Sequence, residues 1–372
     1  MTALVVGAGP AGAALAIRLA LAGREVALLE REAGPVDKVC GEFLSHEAGR
    51  YLAALGLDLP ALGAVAIDAV RLCTRDRVAT VALPFAAQSL SRRVLDEALL
   101  RRATAAGAMV RRDAKVVALA RACGGWSATL ARGRSVGAET VFLATGKHDL
   151  RGYKRPPGRQ DDLVAFKLHW RLALAQTAAL ARHVELVLFE GGYAGLQPVE
   201  EGRANLCLLI RQRRLEQLGQ RWDRLLAALR ADSPHLDARL AGAEPCWARP
   251  LALAAIPYGH VQRRADGPWR LGDQAAVIPS FSGDGMSIAL HSAALAARTY
   301  LAGGDADGYQ RQLARDVARQ VMLSTVLSQG LVRPAAQAAL GAAARVWPGL
   351  MATVAAHTRV SAAALARVGS PA

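Results

Sequence analysis

Residues 3–12 read Ala3-Leu4-Val5-Val6-Gly7-Ala8-Gly9-Pro10-Ala11-Gly12, and this stretch decides the fold. Ala3 to Val6 is a short apolar run. Ala13 to Ala22 then carries apolar residues at helical spacing, Gly23 stops it, and Val26 to Leu29 is a second apolar run. The order predicts strand, helix, strand. Parallel neighbours need a crossover, so the N-terminus is committed to an α/β sheet with a right-handed connection. In that setting G-x-G-x-x-G is a dinucleotide fingerprint. Gly7 makes the tight turn, Gly9 lets a pyrophosphate approach the backbone, and Gly12 lets helix and strand pack closely. Pro10 and Ala11 open the helix, whose free N–H groups and dipole favour phosphate. Glu30, with Arg31 beside it, closes the second strand, where a carboxylate takes the adenosine ribose hydroxyls and repels a 2′-phosphate.

Working outward, the chain has 372 residues, 52% of them hydrophobic and 21% charged, which predicts about two ordinary globular domains and excludes disorder or a disulfide miniprotein. The formal charge of +15 is carried almost wholly by arginines scattered among alanines, so nucleic-acid binding is not expected. Attraction to an anionic substrate, carrier or membrane surface stays open. Five cysteines without C-x-x-C or metal spacing argue against a disulfide framework or a metal site and fit a reducing cytoplasm. The apolar start has no basic n-region, and no 18-residue apolar run predicts a spanning helix.

Short alternating segments from Ala66 to Leu90 and from Leu163 to about Trp247 predict antiparallel strands, the second region with a helix around Arg214 to Arg230. Helical spacing occupies Arg92 to Ala106, strand-like pieces follow near Met109 to Leu119 and Trp126 to Ala131, and Thr140 to Leu143 ends in A-T-G. The expected organisation is a discontinuous dinucleotide-binding domain of residues 1–65, 91–162 and 248–305. A substrate domain of 66–90 and 163–247 and an Ala-rich helical region of 306–372, interrupted by Pro334 and Pro348, complete it.

NAD and FAD share the N-terminal fingerprint. Gly272-Asp273, at a strand end and before a helix, decides for FAD, since a carboxylate there holds the ribityl hydroxyls. Pro279, Gly283, Gly285 and Met286 form a second glycine-rich approach to a helix whose N-terminus would stabilise the reduced ring at N1 and the C2 carbonyl.

G-A-G-P-A-G, Glu30, Ser91-Arg92-Arg93-Val94-Leu95-Asp96, Ala144-Thr145-Gly146 and G-D followed by G-D-G-M together resemble the aromatic-hydroxylase-like flavoprotein superfamily. Within it, Val39-Cys40-Gly41-Glu42-Phe43-Leu44-Ser45 is most similar to the geranylgeranyl reductase branch. The resemblance covers about the first 300 residues. It implies a Rossmann-like FAD-binding domain of the glutathione-reductase type, with a central parallel sheet, an antiparallel-sheet substrate domain roofing the flavin and a helical C-terminal tail. It further implies that Arg92 reaches the pyrophosphate region, Thr145-Gly146 lies near the adenosine, and Cys40-Gly41 lies near the flavin. Cys40 then donates a proton or tunes the ring, or is an inert thiol; Glu42 is a weaker acid candidate.

Two departures bear on function. Where the reductases carry P-x-x-Y-x-W-x-F-P, this chain reads Glu190-Gly-Gly-Tyr193-Ala-Gly195-Leu-Gln197-Pro198, which alters the volume and polarity of the substrate cavity. A-T-G replaces the hydroxylases' G-A-D-G, and the halogenase string W-x-W-x-I-P is absent. The expectation is an FAD-dependent oxidoreductase that reduces or dehydrogenates a carbon–carbon double bond of a hydrophobic, lipid-like substrate by hydride transfer at flavin N5. NAD(P)H or another external donor would supply electrons. A flavin monooxygenase and a flavin-binding protein without turnover are the alternatives. The sequence leaves substrate, donor and oligomeric state open.

Overall fold

β1 (Ala3–Val6), α1 (Pro10–Leu21) and β2 (Val26–Leu29) form the expected strand, helix and strand in the computed structural model, which describes residues 2–75, 77–265, 267–346 and 349–368. Every residue of both strands is buried. The reason is that both faces of the sheet are covered, so successive side chains enter different cores. Ala3 and Val5 pack with the helices, whereas Leu4 and Val6 pack with Trp126, Ala128 and Val136 on the opposite face.

The chain continues through β3 (Phe43–Leu44), α2 (His46–Ala54), β4 (Val65–Thr74), β5 (Arg77–Ser89), α3 (Arg92–Ala105) and β6 (Met109–Arg111). Next come β7 (Val116–Ala122), β8 (Gly125–Leu130), β9 (Ser135–Ala138) and β10 (Thr140–Leu143). A second excursion holds β11 (Leu163–Arg171), α4 (Leu174–Leu180), β12 (His183–Phe189), β13 (Gly192–Pro198), β14 (Arg203–Arg211), α5 (Gln212–Gln217), α6 (Trp222–Asp232), α7 (Pro234–Arg239), β15 (Glu244–Pro245) and β16 (Leu251–Leu253). β17 (Trp269–Arg270) and α8 (Gly285–Leu301) return to the first sheet, and α9 (Ala306–Leu331), α10 (Pro334–Val346), α11 (Leu350–His357) and α12 (Ala362–Val368) follow. Pro334 opens α10; Pro348 lies outside the described residues.

The parallel sheet has the order β17-β10-β1-β2-β6 and is flanked by helices on one face and the three-stranded β7-β8-β9 sheet on the other. The nine-stranded sheet runs β15-β11-β14-β13-β12-β4-β5-β3, with β16 paired to β11. It is antiparallel except where β4 meets β12, because there two separate excursions of the chain join edge to edge. Phe43–Leu44 and Leu251–Leu253 pair into this sheet from stretches expected in the nucleotide-binding part. The helix expected around Arg214 to Arg230 is two helices, parted where Gly219 takes a left-handed φ of 71°. No helix among the described residues is long and apolar enough to cross a membrane.

One face of the nine-stranded sheet packs Phe166, Leu168, Val187, Leu206 and Leu208 against α6 and α7. The other carries Leu186, Leu188, Tyr193 and Leu209 toward Leu331, Val332 and Leu340 of the C-terminal region. That second face roofs the site.

Candidate active site

The glycine turn is closed by contacts no larger residue permits. Gly7 has φ 100°, and a Cβ on it would lie 2.5 Å from the Ala144 carbonyl oxygen. A Cβ on Gly12 would stand 1.9 Å from the Gly7 carbonyl oxygen, so α1 can lie against β1 only without one. Over Gly9 the nearest atom is Nη2 of Arg92, 3.3 Å from where a Cβ would be. Arg92 begins α3 after the Ser91 N-cap and donates from Nε and Nη2 to both oxygens of Asp96, at 2.8 and 2.9 Å; Lys38 adds a third bond at 2.9 Å. Burial alone would raise the Asp96 carboxyl and lower the Arg92 guanidinium, but each holds the other charged.

Glu30 is buried, not a surface residue. Its oxygens accept from the backbone N–H of Ala8 at 2.9 Å and of Glu32 at 3.1 Å, which ties the glycine turn to the end of β2. It fronts a shallow hollow shared with Lys38, Asp96 and Arg112. Arg31 turns away to Glu32 and His148 and does not line the cavity.

Gly272 packs on the start of α1, where its Cβ would be 3.1 Å from that of Ala11, and this delivers Asp273 to the glycine turn. Asp273 accepts from Lys147 Nζ at 2.9 Å and lies below the usual carboxylate range, since Lys147, Arg155 and Arg92 together outweigh its burial. Gly146 lines the cavity, whereas Thr145 spends its hydroxyl on the His148 carbonyl at 2.6 Å. Gly283, Gly285 and Met286 line it too, and Pro279 does not. Asp284, between those glycines, is fully buried; burial pushes its carboxyl up to about 7 against the opposing pull of Arg359. Arg359 Nη1 lies 3.3 Å from Asp284 and Nη2 donates to the Ser282 carbonyl at 3.0 Å.

Cys40 and Gly41 form the cavity wall facing the glycine turn, and Asn205 Nδ2 donates to both of their carbonyls at 3.0 and 2.9 Å. Glu42 corrects an expectation. It is wholly buried at φ 64°; its Oε1 accepts from the Arg92 N–H at 2.8 Å and from Lys167 Nζ, and its Oε2 meets His169 Nε2 at 2.7 Å. Burial would raise this carboxyl, yet Lys167 and His169 hold it below the ordinary range. An ionised carboxylate is the wrong species for a proton donor, so Glu42 positions the Cys40 loop instead. Asp37, Glu42 and His169 bring ligand-type atoms within 4.8 Å of one another, but the Lys167 ammonium already serves there as the cation.

Lys167, His169 and Asn205 were not singled out for function in the sequence. Their signal is polar residues at every second position of strands otherwise apolar on both faces, as in F-K-L-H-W of β11. By the same alternation Tyr193, Gly195 and Gln197 share the roofing face and line the cavity, while Pro198 falls outside it. A Cβ on Gly195 would meet only the Cys207 carbonyl oxygen, at 3.8 Å. Leu327, Leu331, Leu340 and Val354 of α9 to α11 supply a further wall that the sequence reading did not assign. The cavity holds about 250 Å³ and passes unbroken from Gly9 to this apolar chamber. A cradle that any Cβ would fill, the half-buried cations Arg92 and Lys147 and the carboxylate of Asp273 beyond them fit a dinucleotide.

Residues 1–144 match the FAD binding domain family. A menaquinone reductase of Mycobacterium tuberculosis is 29% identical over 312 residues, covering 79% of this chain and 75% of that protein. A digeranylgeranylglycerophospholipid reductase 2 of Methanopyrus kandleri is 32% identical over 311 residues, covering 77% and 73%. Among solved structures, the flavin-dependent brominase Bmp2 superposes with a TM-score of 0.77 at 19% identity, covering 96% of this chain and 92% of that one. The myxobacterial chondrochloren halogenase CndH gives 0.77 at 19%, covering 99% and 95%. At that identity the structures share the fold alone.

Proposed function

Because the chain belongs to the geranylgeranyl reductase branch of the FAD-dependent oxidoreductases, we propose that it reduces a carbon–carbon double bond, or dehydrogenates the saturated counterpart, on a hydrophobic, lipid-like substrate. The observation that carries this reading is the single cavity running from the glycine turn past Cys40-Gly41 into a chamber walled by Leu186, Leu209, Leu331 and Leu340. Both sequence relatives are named as reductases, one of menaquinone and one of a digeranylgeranylglycerophospholipid.

Reduced FAD, when bound, supplies a hydride from N5. The N-terminus of α1 and Arg92 would hold the pyrophosphate, Glu30 the ribose, Asp273 the ribityl hydroxyls, and the N-terminus of α8 the pyrimidine edge of the ring. Reduction of an alkene consumes one proton beside the hydride. The Cys40 thiol borders the cavity and is the donor we assign, with Glu42, Lys167 and Asn205 fixing its loop. The apolar walls exclude water and orient the chain of the substrate. An external donor such as NAD(P)H returns the electrons.

The test is anaerobic turnover with a reduced donor and lipid extracts. Product that gains two hydrogens without dioxygen supports the reading. A strict need for dioxygen with one oxygen atom added overturns it in favour of a monooxygenase, and bound FAD that no donor reduces identifies a flavin-binding protein without turnover. Cys40→Ala should slow turnover by about 10²–10⁴-fold while FAD remains bound.

A further inference from the structure

Lys147 lies on the turn that follows β10, and that turn packs directly on the glycine turn, with the Ala144 carbonyl against Gly7. Its side chain lines the cavity and ends on Asp273 at 2.9 Å. Holding the two loops together does not require this contact. Arg155 already clamps their backbones, donating to the Lys147 carbonyl at 2.9 Å and to the Asp273 carbonyl at 2.7 Å. Gln274 adds bonds to the Gly146 and His148 carbonyls at 2.7 and 3.1 Å. The Lys147 ammonium is therefore spare to the architecture.

Charge balance points the same way. Arg92, the other cation above the cradle, spends its Nε and one Nη2 hydrogen on Asp96, so part of its charge is balanced before any phosphate arrives. A pyrophosphate carries two negative charges, and the Lys147 ammonium takes Oδ2 of Asp273, one of the two oxygens that hydroxyl groups would use. Lysine suits an exchange of partners: a compact charge on a four-carbon stem that rotates, unlike a fixed guanidinium fork.

Resting on the FAD reading above, we propose that Lys147 is an exchange cation of the site. It holds Asp273 in the free chain, moves onto the pyrophosphate of the dinucleotide, and thereby releases Asp273 to the ribityl hydroxyls.

The experiment is titration of the full chain, stripped of flavin, with FAD and separately with riboflavin, which lacks phosphate, at low and high salt. Wild type, Lys147→Met and Lys147→Arg are compared by flavin fluorescence. Lys147→Met should weaken FAD about ten-fold or more at low salt, with a flatter salt dependence. It should leave riboflavin unchanged or tighter, and Lys147→Arg, which keeps the charge on a less adaptable fork, should recover the FAD affinity only in part. Equal loss for FAD and riboflavin overturns the proposal, since Lys147 would then act only by arranging Asp273. Unchanged FAD binding overturns it as well. Wild type that binds neither flavin removes the FAD reading itself, which is a separate result. Should Lys147→Met not fold, Lys147→Gln carries the same comparison.

Discussion

Replacing Lys167 by Met probes the buried charges beneath the Cys40 loop. Lys167 and Glu42 are both wholly enclosed, so the carboxylate left behind has no water to turn to. Removing one partner of a buried pair costs about 3–5 kcal/mol. Glu42 retains the Arg92 N–H and His169, which places the expected loss near the lower bound, about 3 kcal/mol. The pH dependence carries the sign. In the native chain the Glu42 carboxyl is depressed, so its contribution is complete above the ordinary carboxylate range and is lost as pH falls through its folded value. Without Lys167, burial is opposed only by His169 and the N–H, with Asp37 nearby adding repulsion, and the carboxyl rises above its unfolded value. A group raised in this way stabilises at low pH and loses that contribution as pH rises through the folded value. The deficit of the variant should therefore shrink as pH is lowered from neutral toward the ordinary carboxylate range in urea unfolding. Adding Glu42→Gln should recover part of the loss by removing the stranded charge. A deficit that is constant with pH, together with a double variant no more stable than the single one, would refute the reasoning.

Gly12→Ala sets a Cβ against the Gly7 carbonyl oxygen, so α1 must shift; a loss of about 1–3 kcal/mol in unfolding experiments and colourless protein on purification are expected. Gly195→Trp points into open cavity, so it should fold, bind FAD normally and raise KM for long substrates by about 10-fold or more while sparing short ones, as read by steady-state kinetics. Glu185 is held at about 2 by His235 and Arg239 against its burial; its contribution is full above the ordinary carboxylate range and fades as pH drops toward 2, so Glu185→Gln should lose stability at neutral pH and converge with wild type in acid-titration melts. Met322 and Val326, exposed one turn apart on α9, together with the net positive charge, lead us to expect binding to anionic vesicles that high salt reverses; flotation that is indifferent to lipid composition removes the idea.

How legible the molecule was depends on how far apart the interacting parts lie. The β1-α1-β2 unit was readable because burial on both faces leaves unbroken apolar runs, and because Gly12 answers a contact five residues back and Gly7 one across a neighbouring strand. Asp273 was readable from its place after a strand. The sequence offers Glu42 only as a weaker acid candidate, and the groups that pull its carboxyl down, Lys167 and His169, lie 125 and 127 residues away and reach it only through sheet pairing. Lys147 is not singled out beside Gly146, and Asp284 is read only as part of G-D-G-M. Arg359 and the chamber wall from α9 to α11 were invisible for a different reason: an Ala-rich helical period states that a segment is a helix, not what it leans on.

The chamber wall contributed by the C-terminal helices is built independently of the glycine turn. Gly7 and Gly12 are crowded by backbone, whereas Leu327, Leu331, Leu340 and Val354 line the cavity from helices that share none of those contacts. Exchanging one aliphatic residue for another there reshapes what the chamber admits without disturbing the redox machinery.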